Sequence, residues 1–237
     1  MEDYTIDSIW SPQIRIKQPA RGYRFALDAV LLAHFLSCGE SDDVLEVGCG
    51  AGVVAVLLSH LRKFRRLTCV EIQPELAELA RFNLRENGVS RAEILSADIR
   101  EVSGMHVDLL YSNPPYRKAG AGRLNPQEQK AIARHEIRMT LQDLFAAAQR
   151  LLKPNGRLTT ILPDFREQEF CSLAATHGFC FRDLQYVHSF APEPPAFFLS
   201  TLSREAGPLR ERPPLTIYDA PGVYTPEARA LLTAPTP

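Results

Sequence analysis

Asp43-Val44-Leu45-Glu46-Val47-Gly48-Cys49-Gly50-Ala51-Gly52 is the stretch whose reading decides the fold. Its first half is mostly apolar and predicts a short buried strand; alternate glycines follow at once. Val53 to Leu61 then reads as an apolar helix. Strand, glycine loop, helix is a layout that lets backbone N–H groups come close to a ligand. Glycine adopts the turn without strain and carries no side chain to obstruct the approach. Taken alone, the loop is equally a structural turn.

Downstream the same rhythm continues. Leu67-Thr68-Cys69-Val70 predicts a second strand ending in Glu71, roughly 20 residues past the last glycine, where an acid can take both ribose hydroxyls of an adenosine-containing ligand. Pro74 suits the first turn of a helix that stops at Asn87-Gly88. Ala92-Glu93-Ile94-Leu95 is a third strand, and Asp98, just past its carboxyl end, is placed to meet the ligand's base. The fourth strand, Val107-Asp108-Leu109-Leu110, is stopped by Tyr111-Ser112-Asn113-Pro114-Pro115-Tyr116. Proline fixes φ and biases the residue before it toward extended geometry, which holds Asn113 rigidly at the strand's carboxyl end. Ligands gather at that edge of open α/β sheets. An amide, a carbonyl that cannot turn away and an aromatic ring are the parts that grip a planar group bearing an NH2. A turn with a stacked tyrosine is the alternative for the tetrapeptide alone.

The remaining segments complete an alternating pattern. Thr140-Leu141-Gln142-Asp143 resembles a capping box with Asp at the third position and opens a helix to Leu152. Arg157 to Leu162 is a fifth strand, and a helix from Phe165 to His177 is ended by Gly178. Phe181 to Ser189 and Ala196 to Leu202 predict an antiparallel pair. Before the glycine loop, Ile14-Arg15-Ile16-Lys17 alternates like a strand. Leu27, Val30, Leu31 and Phe35 recur as the stripe of an amphipathic helix, with Asp28 in its first turn. Together these predict one doubly wound α/β domain over residues 1–237. Its sheet is seven-stranded and mostly parallel, with a C-terminal antiparallel hairpin. It carries an N-terminal extension (1–40), a basic insertion (117–139) and a Pro-rich tail (204–237) with one short helix after Pro226.

Composition narrows the classes. Basic and acidic residues number 27 and 28, so no global charge signals nucleic acid. A local patch exists: Arg117, Lys118, Arg123, Lys130, Arg134 and Arg138 stand against Glu128 and Glu136, which reads as either solvated surface or a polyanion-binding loop. The five cysteines are scattered and odd in number, as expected of reduced thiols in a cytoplasmic protein. The start is acidic without a signal-peptide pattern, and no apolar run is long enough to span a bilayer.

In this order, the glycine loop, Glu71, Asp98 and Asn113–Tyr116 resemble the class I S-adenosylmethionine-dependent methyltransferases that carry an Asn-Pro-Pro-Tyr motif. The resemblance spans residues 25 to 203. It implies S-adenosylmethionine as cofactor, bound by Glu46, Gly48, Cys49, Gly50, Gly52, Glu71, Ile72, Asp98, Ile99 and Asn113. It also implies catalysis by Asn113, Pro114 and Tyr116 on the amino group of a planar conjugated system, with no metal required. Gln18 to Phe25 with Asp28 to Ala33 is similar to the signature of bacterial tRNA1(Val) adenine-37 N6-methyltransferases. So are Arg117 to Gly120, Gly122 to Pro126 and Ala133 to Glu136. That likeness implies a tRNA anticodon stem-loop as partner, met by Tyr23, Arg24, Arg117, Lys118, Arg123, Arg134 and His135. The alternative is another Asn-Pro-Pro-Tyr enzyme acting on ribosomal RNA, DNA or a protein glutamine. A nicotinamide-binding Rossmann protein fits less well, because the loop reads Gly-x-Gly-x-Gly and nothing suggests hydride transfer. The intact Asn113–Tyr116 motif argues against a non-catalytic cofactor-binding module.

Overall fold

The apolar runs around the glycine loop become neighbouring parallel strands in the computed structural model, which describes residues 4–10, 14–20, 26–114 and 139–233. β3 (Asp43–Val47) lies between β4 (Arg66–Glu71) and β6 (Val107–Ser112), and β5 (Ala92–Ser96) flanks β4. Every residue of β3 is buried, as a parallel strand covered on both faces requires. On the other side, β7 (Leu152–Pro163) runs parallel to β6. The predicted hairpin, β8 (Cys180–Phe190) and β9 (Pro195–Ser203), then adds antiparallel strands, with β9 between β7 and β8.

Helices cover the two faces. One core packs α1 (Leu27–Phe35), α2 (Val53–Leu61) and α3 (Pro74–Glu86) against the sheet. The other packs α4 (Leu141–Leu151) and α5 (Glu167–Thr176) against the opposite face. The capping box is present: Thr140 Oγ1 accepts from the Asp143 amide at 3.1 Å, and Asp143 Oδ2 accepts from the Thr140 amide at 2.9 Å. α3 starts on Pro74 and is followed by Gly88 with φ +69°.

Three segments depart from the sequence-based expectation. The α1 stripe is not amphipathic, since every residue of the helix except Leu27 and His34 is buried, Asp28 included. Its outer side is covered by α6 (Pro226–Leu232), and Trp10 Nε1 and His34 Nε2 both meet the Leu231 carbonyl, at 3.1 and 3.0 Å. Residues without a predicted element form β1 (Tyr4–Ile9), paired antiparallel with β2 (Ile14–Pro19). The Pro-rich segment after 204 contributes β10 (Arg210–Glu211), β11 (Leu215–Ala220) and β12 (Val223–Tyr224), which extend the main sheet beyond β8 to ten strands.

The β1–β2 hairpin is fastened to the rest by two asparagines, Asn83 on α3 and Asn87 just past its C-terminal end. Asn83 Oδ1 accepts from the Lys17 amide and Asn83 Nδ2 donates to the Lys17 carbonyl, both at 2.8 Å. Asn87 does the same for Arg15, at 3.0 and 2.9 Å. The open edge of β2 therefore pairs with side-chain amides in place of another strand. Asn83 is fully buried and also donates to the Ala51 carbonyl of the glycine loop at 2.9 Å. Asn83→Ala is expected to destabilise the protein by about 3 kcal/mol, because three part-buried backbone groups lose their partner. Alanine's better helix propensity offsets only about 0.5 kcal/mol of this. Denaturant midpoints measure the change, and an unchanged midpoint would show that the amide does not hold the hairpin.

Candidate active site

β3, β4 and β6 end on one edge of the sheet, and each end carries a polar group. Gly48, Gly50 and Gly52 have φ of +72°, +56° and +77°, a region that side-chain-bearing residues rarely adopt. The amides of Gly48 and Cys49 donate to the Val70 carbonyl at 2.8 and 3.2 Å, folding the loop onto the end of β4. A Cβ on Gly52 would lie 3.1 Å from Ala80 Cβ, so this glycine lets the start of α2 pack on α3. A Cβ on Gly50 would meet nothing within 4 Å, which leaves the backbone there open to a ligand.

Glu71 faces this loop. Its Oε2 accepts from the Gly50 amide at 2.9 Å, and its Oε1 accepts from the Gln73 amide at 2.9 Å and from Gln73 Nε2 at 3.3 Å. A carboxylate so fixed offers two oxygens to a diol next to open backbone, which fits the ribose of an adenosine-type group.

Asn113 follows β6 directly, half-buried, with Pro114 buried behind it. Ser112 Oγ donates to the Val47 carbonyl at 2.8 Å, tying the end of β6 to the residue before Gly48. One residue earlier, the Tyr111 hydroxyl donates to Glu46 Oε2 at 3.1 Å. Glu46 is 2% exposed and sits beneath the glycine loop, where it also receives the Cys69 thiol at 3.6 Å and the Ala55 amide. Burial pushes its carboxyl up to about 8 against the hydrogen bonds from Tyr111 and Cys69, with nearby Glu71 adding to the rise.

The structure thus brings Gly48, Cys49, Gly50, Gly52, Glu71 and Asn113 to one edge and sets Glu46 a layer below them. Asp98 lies past the end of β5, and Arg100 engages both of its oxygens, with Nε at 2.9 and 3.0 Å. The Arg100 guanidinium holds the Asp98 carboxyl below its usual range. Ile72 is half-buried; Ile99 is buried among the apolar residues on the α4 side. Tyr116, Tyr23, Arg24, Arg117, Lys118, Arg123, Arg134 and His135 lie outside the described residues. Sequence reasoning passed over Tyr111, Ser112 and Met139, whose Cε is 3.8 Å from where a Gly48 Cβ would be. A tyrosine and a serine interrupting an apolar strand were the available signal.

Residues 27–180 match the family described as methyltransferase small domain. The chain belongs to this family. It is 32% identical over 230 residues to the tRNA1(Val) (adenine(37)-N6)-methyltransferase of Porphyromonas gingivalis, an alignment covering 91% of this chain and 89% of that protein. The fold is similar to that of a predicted O-methyltransferase from Agrobacterium tumefaciens, with a TM-score of 0.66 at 22% identity over 86% of this chain and 94% of the other. It is also similar to that of the M. jannaschii tRNA m1G37 methyltransferase, with a TM-score of 0.60 at 15% identity over 86% and 57% of the two chains.

The raised Glu46 pKa makes stability depend on pH. In the unfolded chain the group ionises near 4.5 and in the folded chain near 8. Between those values the folded protein holds a proton that the unfolded chain has released, so this contribution is full below 4.5 and lost as pH rises through 8. Glu46→Gln keeps an acceptor for Tyr111 and cannot ionise. Its unfolding free energy is expected to gain on the wild type by on the order of 1 kcal/mol per pH unit across that window. Urea unfolding over this range measures the difference, and a flat difference would place the folded pKa near its ordinary value.

Proposed function

We propose that this enzyme transfers a methyl group from S-adenosylmethionine to the exocyclic N6 amine of an adenine in tRNA, with adenine-37 of tRNA1(Val) as the target. The observation that carries this reading is the pairing of near full-length similarity to the Porphyromonas gingivalis enzyme with Asn113-Pro114 set beside an open glycine loop. When bound, S-adenosylmethionine supplies an electrophilic methyl group on a sulfonium. Glu71 takes the ribose hydroxyls, and the loop Gly48 to Gly52 admits the cofactor against its backbone. Asp98 and Ile99, with Ile72, serve the adenine side, which requires Asp98 to share its carboxylate with Arg100.

The residues after β6 act on the acceptor. An adenine N6 amine is a weak nucleophile because its lone pair is delocalised into the ring. The Asn113 side-chain oxygen and the Pro114 carbonyl accept its two N–H bonds, and this arrangement draws the nitrogen toward pyramidal geometry. Preorganised acceptors and positioning supply most of the rate enhancement. Tyr116 stacks on the target base once it is splayed from its loop. Arg117, Lys118, Arg123 and Arg134, with Tyr23, Arg24 and His135, contact the anticodon stem-loop mainly through phosphates. After transfer the proton leaves to solvent, in the cytoplasm where tRNA is modified.

Labelled methyl transfer to separated pools of tRNA, ribosomal RNA, DNA and protein tests the reading, with N6-methyladenosine in tRNA as the expected product. Label confined to protein would overturn it. Two variants divide the roles. Glu71→Ala is expected to weaken S-adenosylmethionine binding by about 10- to 100-fold. Asn113→Ala is expected to lower kcat by about 10²- to 10³-fold with cofactor affinity nearly intact. Calorimetry and steady-state kinetics separate the two, and near-normal turnover of Asn113→Ala would sink the assigned chemistry.

A further inference from the structure

Away from the methyl-transfer edge, one face of the sheet changes character. Ile161, Leu199 and Val187 belong to the core on the α1 side. Two residues toward the opposite edge, the same face carries Thr159 on β7 and Thr201 on β9, and next Arg157 and Ser203. Thr159 and Ser203 are 1% and 5% exposed, yet they border a cavity of about 340 Å³. Ser37, just past α1, closes one side of it, and Arg182, Arg210 and Arg212 reach it from β8, β10 and the residue after β10.

The cationic groups there are unevenly partnered. Arg157 pairs with Asp42 at 2.8 Å. Arg212 pairs with Asp183 through Nε at 2.9 and 3.0 Å and lies 4.0 Å above the Phe35 ring. The guanidiniums of Arg182 and Arg210 have no hydrogen bond or ion pair among the described residues, and Glu205 is the remaining carboxylate of the lining. Arg182 Nη1 is buried without a partner. Arg182 is also the extra residue of a β-bulge, because Phe181 faces Leu202 while Asp183 faces Thr201. Bulges re-aim a side chain. A Cβ on Gly207 would overlap the Arg182 guanidinium, so the glycine makes room for it.

A buried charged donor left unpaired keeps its full desolvation penalty. An oxyanion that meets both free arginines removes that cost, since the planar guanidinium fork matches phosphate oxygens. The Ser203 hydroxyl and one O–H of the Thr159–Thr201 pair, whose oxygens lie 2.9 Å apart, supply further donors. The volume lies at the small end of ligand sites, roughly 300–1,000 Å³.

We propose that this cavity binds a phosphate group, carried by a small molecule or by an RNA backbone. The proposal stands independently of the methyl acceptor assigned above. Calorimetric titration of the full chain with inorganic phosphate at constant ionic strength is expected to show one saturable site. The Arg182→Gln, Arg210→Gln double variant should bind phosphate about tenfold more weakly or worse. Phosphate also stabilises proteins generally by exclusion from their surface, but that effect is equal in both proteins and cancels in the comparison of melting temperatures. Gly207→Ala, which displaces Arg182 without altering any lining residue, should weaken phosphate binding as well and guards against misfolding of the double variant. Competition with tRNA then distinguishes the sources. Loss of tRNA affinity in the double variant, with phosphate competing in the wild type, assigns the site to an RNA backbone. Unchanged tRNA affinity with phosphate binding lost assigns it to a small ligand. Equal phosphate response in wild type and both variants overturns the proposal.

Discussion

Two carbonyl groups at strand ends hold the site in register. The Val47 carbonyl takes the Ser112 hydroxyl, and the Val70 carbonyl takes the amides of Gly48 and Cys49. Such end carbonyls lie where the parallel ladder runs out and would otherwise face solvent. Using them to join β6 to β3 and β3 to β4 fixes the position of Asn113 against the glycine loop and Glu71. A slip of one residue in β6 would turn Tyr111 away from Glu46 and send Ser112 to the wrong face. The positioning chemistry proposed above tolerates little displacement, so on that reading these short links have functional weight beyond their modest net energies.

The strands near the loop were legible because each is an apolar run closed by glycine, proline or a charged residue. Glu71 and Asn113 were legible because their distance along the chain from such runs places them at carboxyl ends. What stayed hidden depends on distant partners. β1 alternates Thr5, Asp7 and Ser8 with Tyr4 and Ile6, but only Ile9 is buried, so its pattern carried no core signal. α1 was read from its larger side chains. Its intervening residues, Asp28, Ala29 and Ala33, are buried as well, and α6 reaches the helix at His34 from the far end of the chain. The Pro-rich tail, with prolines at 208, 213, 214 and 221, gave no strand signal, yet the short runs between them pair with β8. The Tyr111–Glu46 contact joins residues 65 apart that meet only once β3 and β6 are in register.

Two acids near the loop show how environment divides like groups. Glu71 receives three N–H donors at the edge of the sheet. Glu46 lies under the loop, where desolvation outweighs the bonds from Tyr111, Cys69 and Ala55 and keeps it protonated at neutral pH. A full negative charge at Glu46 would lie unsolvated beneath the glycine loop. The neutral buried form avoids that while still accepting the Tyr111 hydroxyl.

The N-terminal segment is joined to the same edge from both sides. β2 ends at Pro19 and is fastened to α3 through Asn83, which also holds the Ala51 carbonyl of the glycine loop. α1 begins at Leu27 and packs on α2, the helix that the glycine loop opens. β2 and α1 are therefore both attached to elements that brace the loop. The loop is thus held from both sides, through the Asn83 amide on the Ala51 carbonyl and through the packing of α2 on α1.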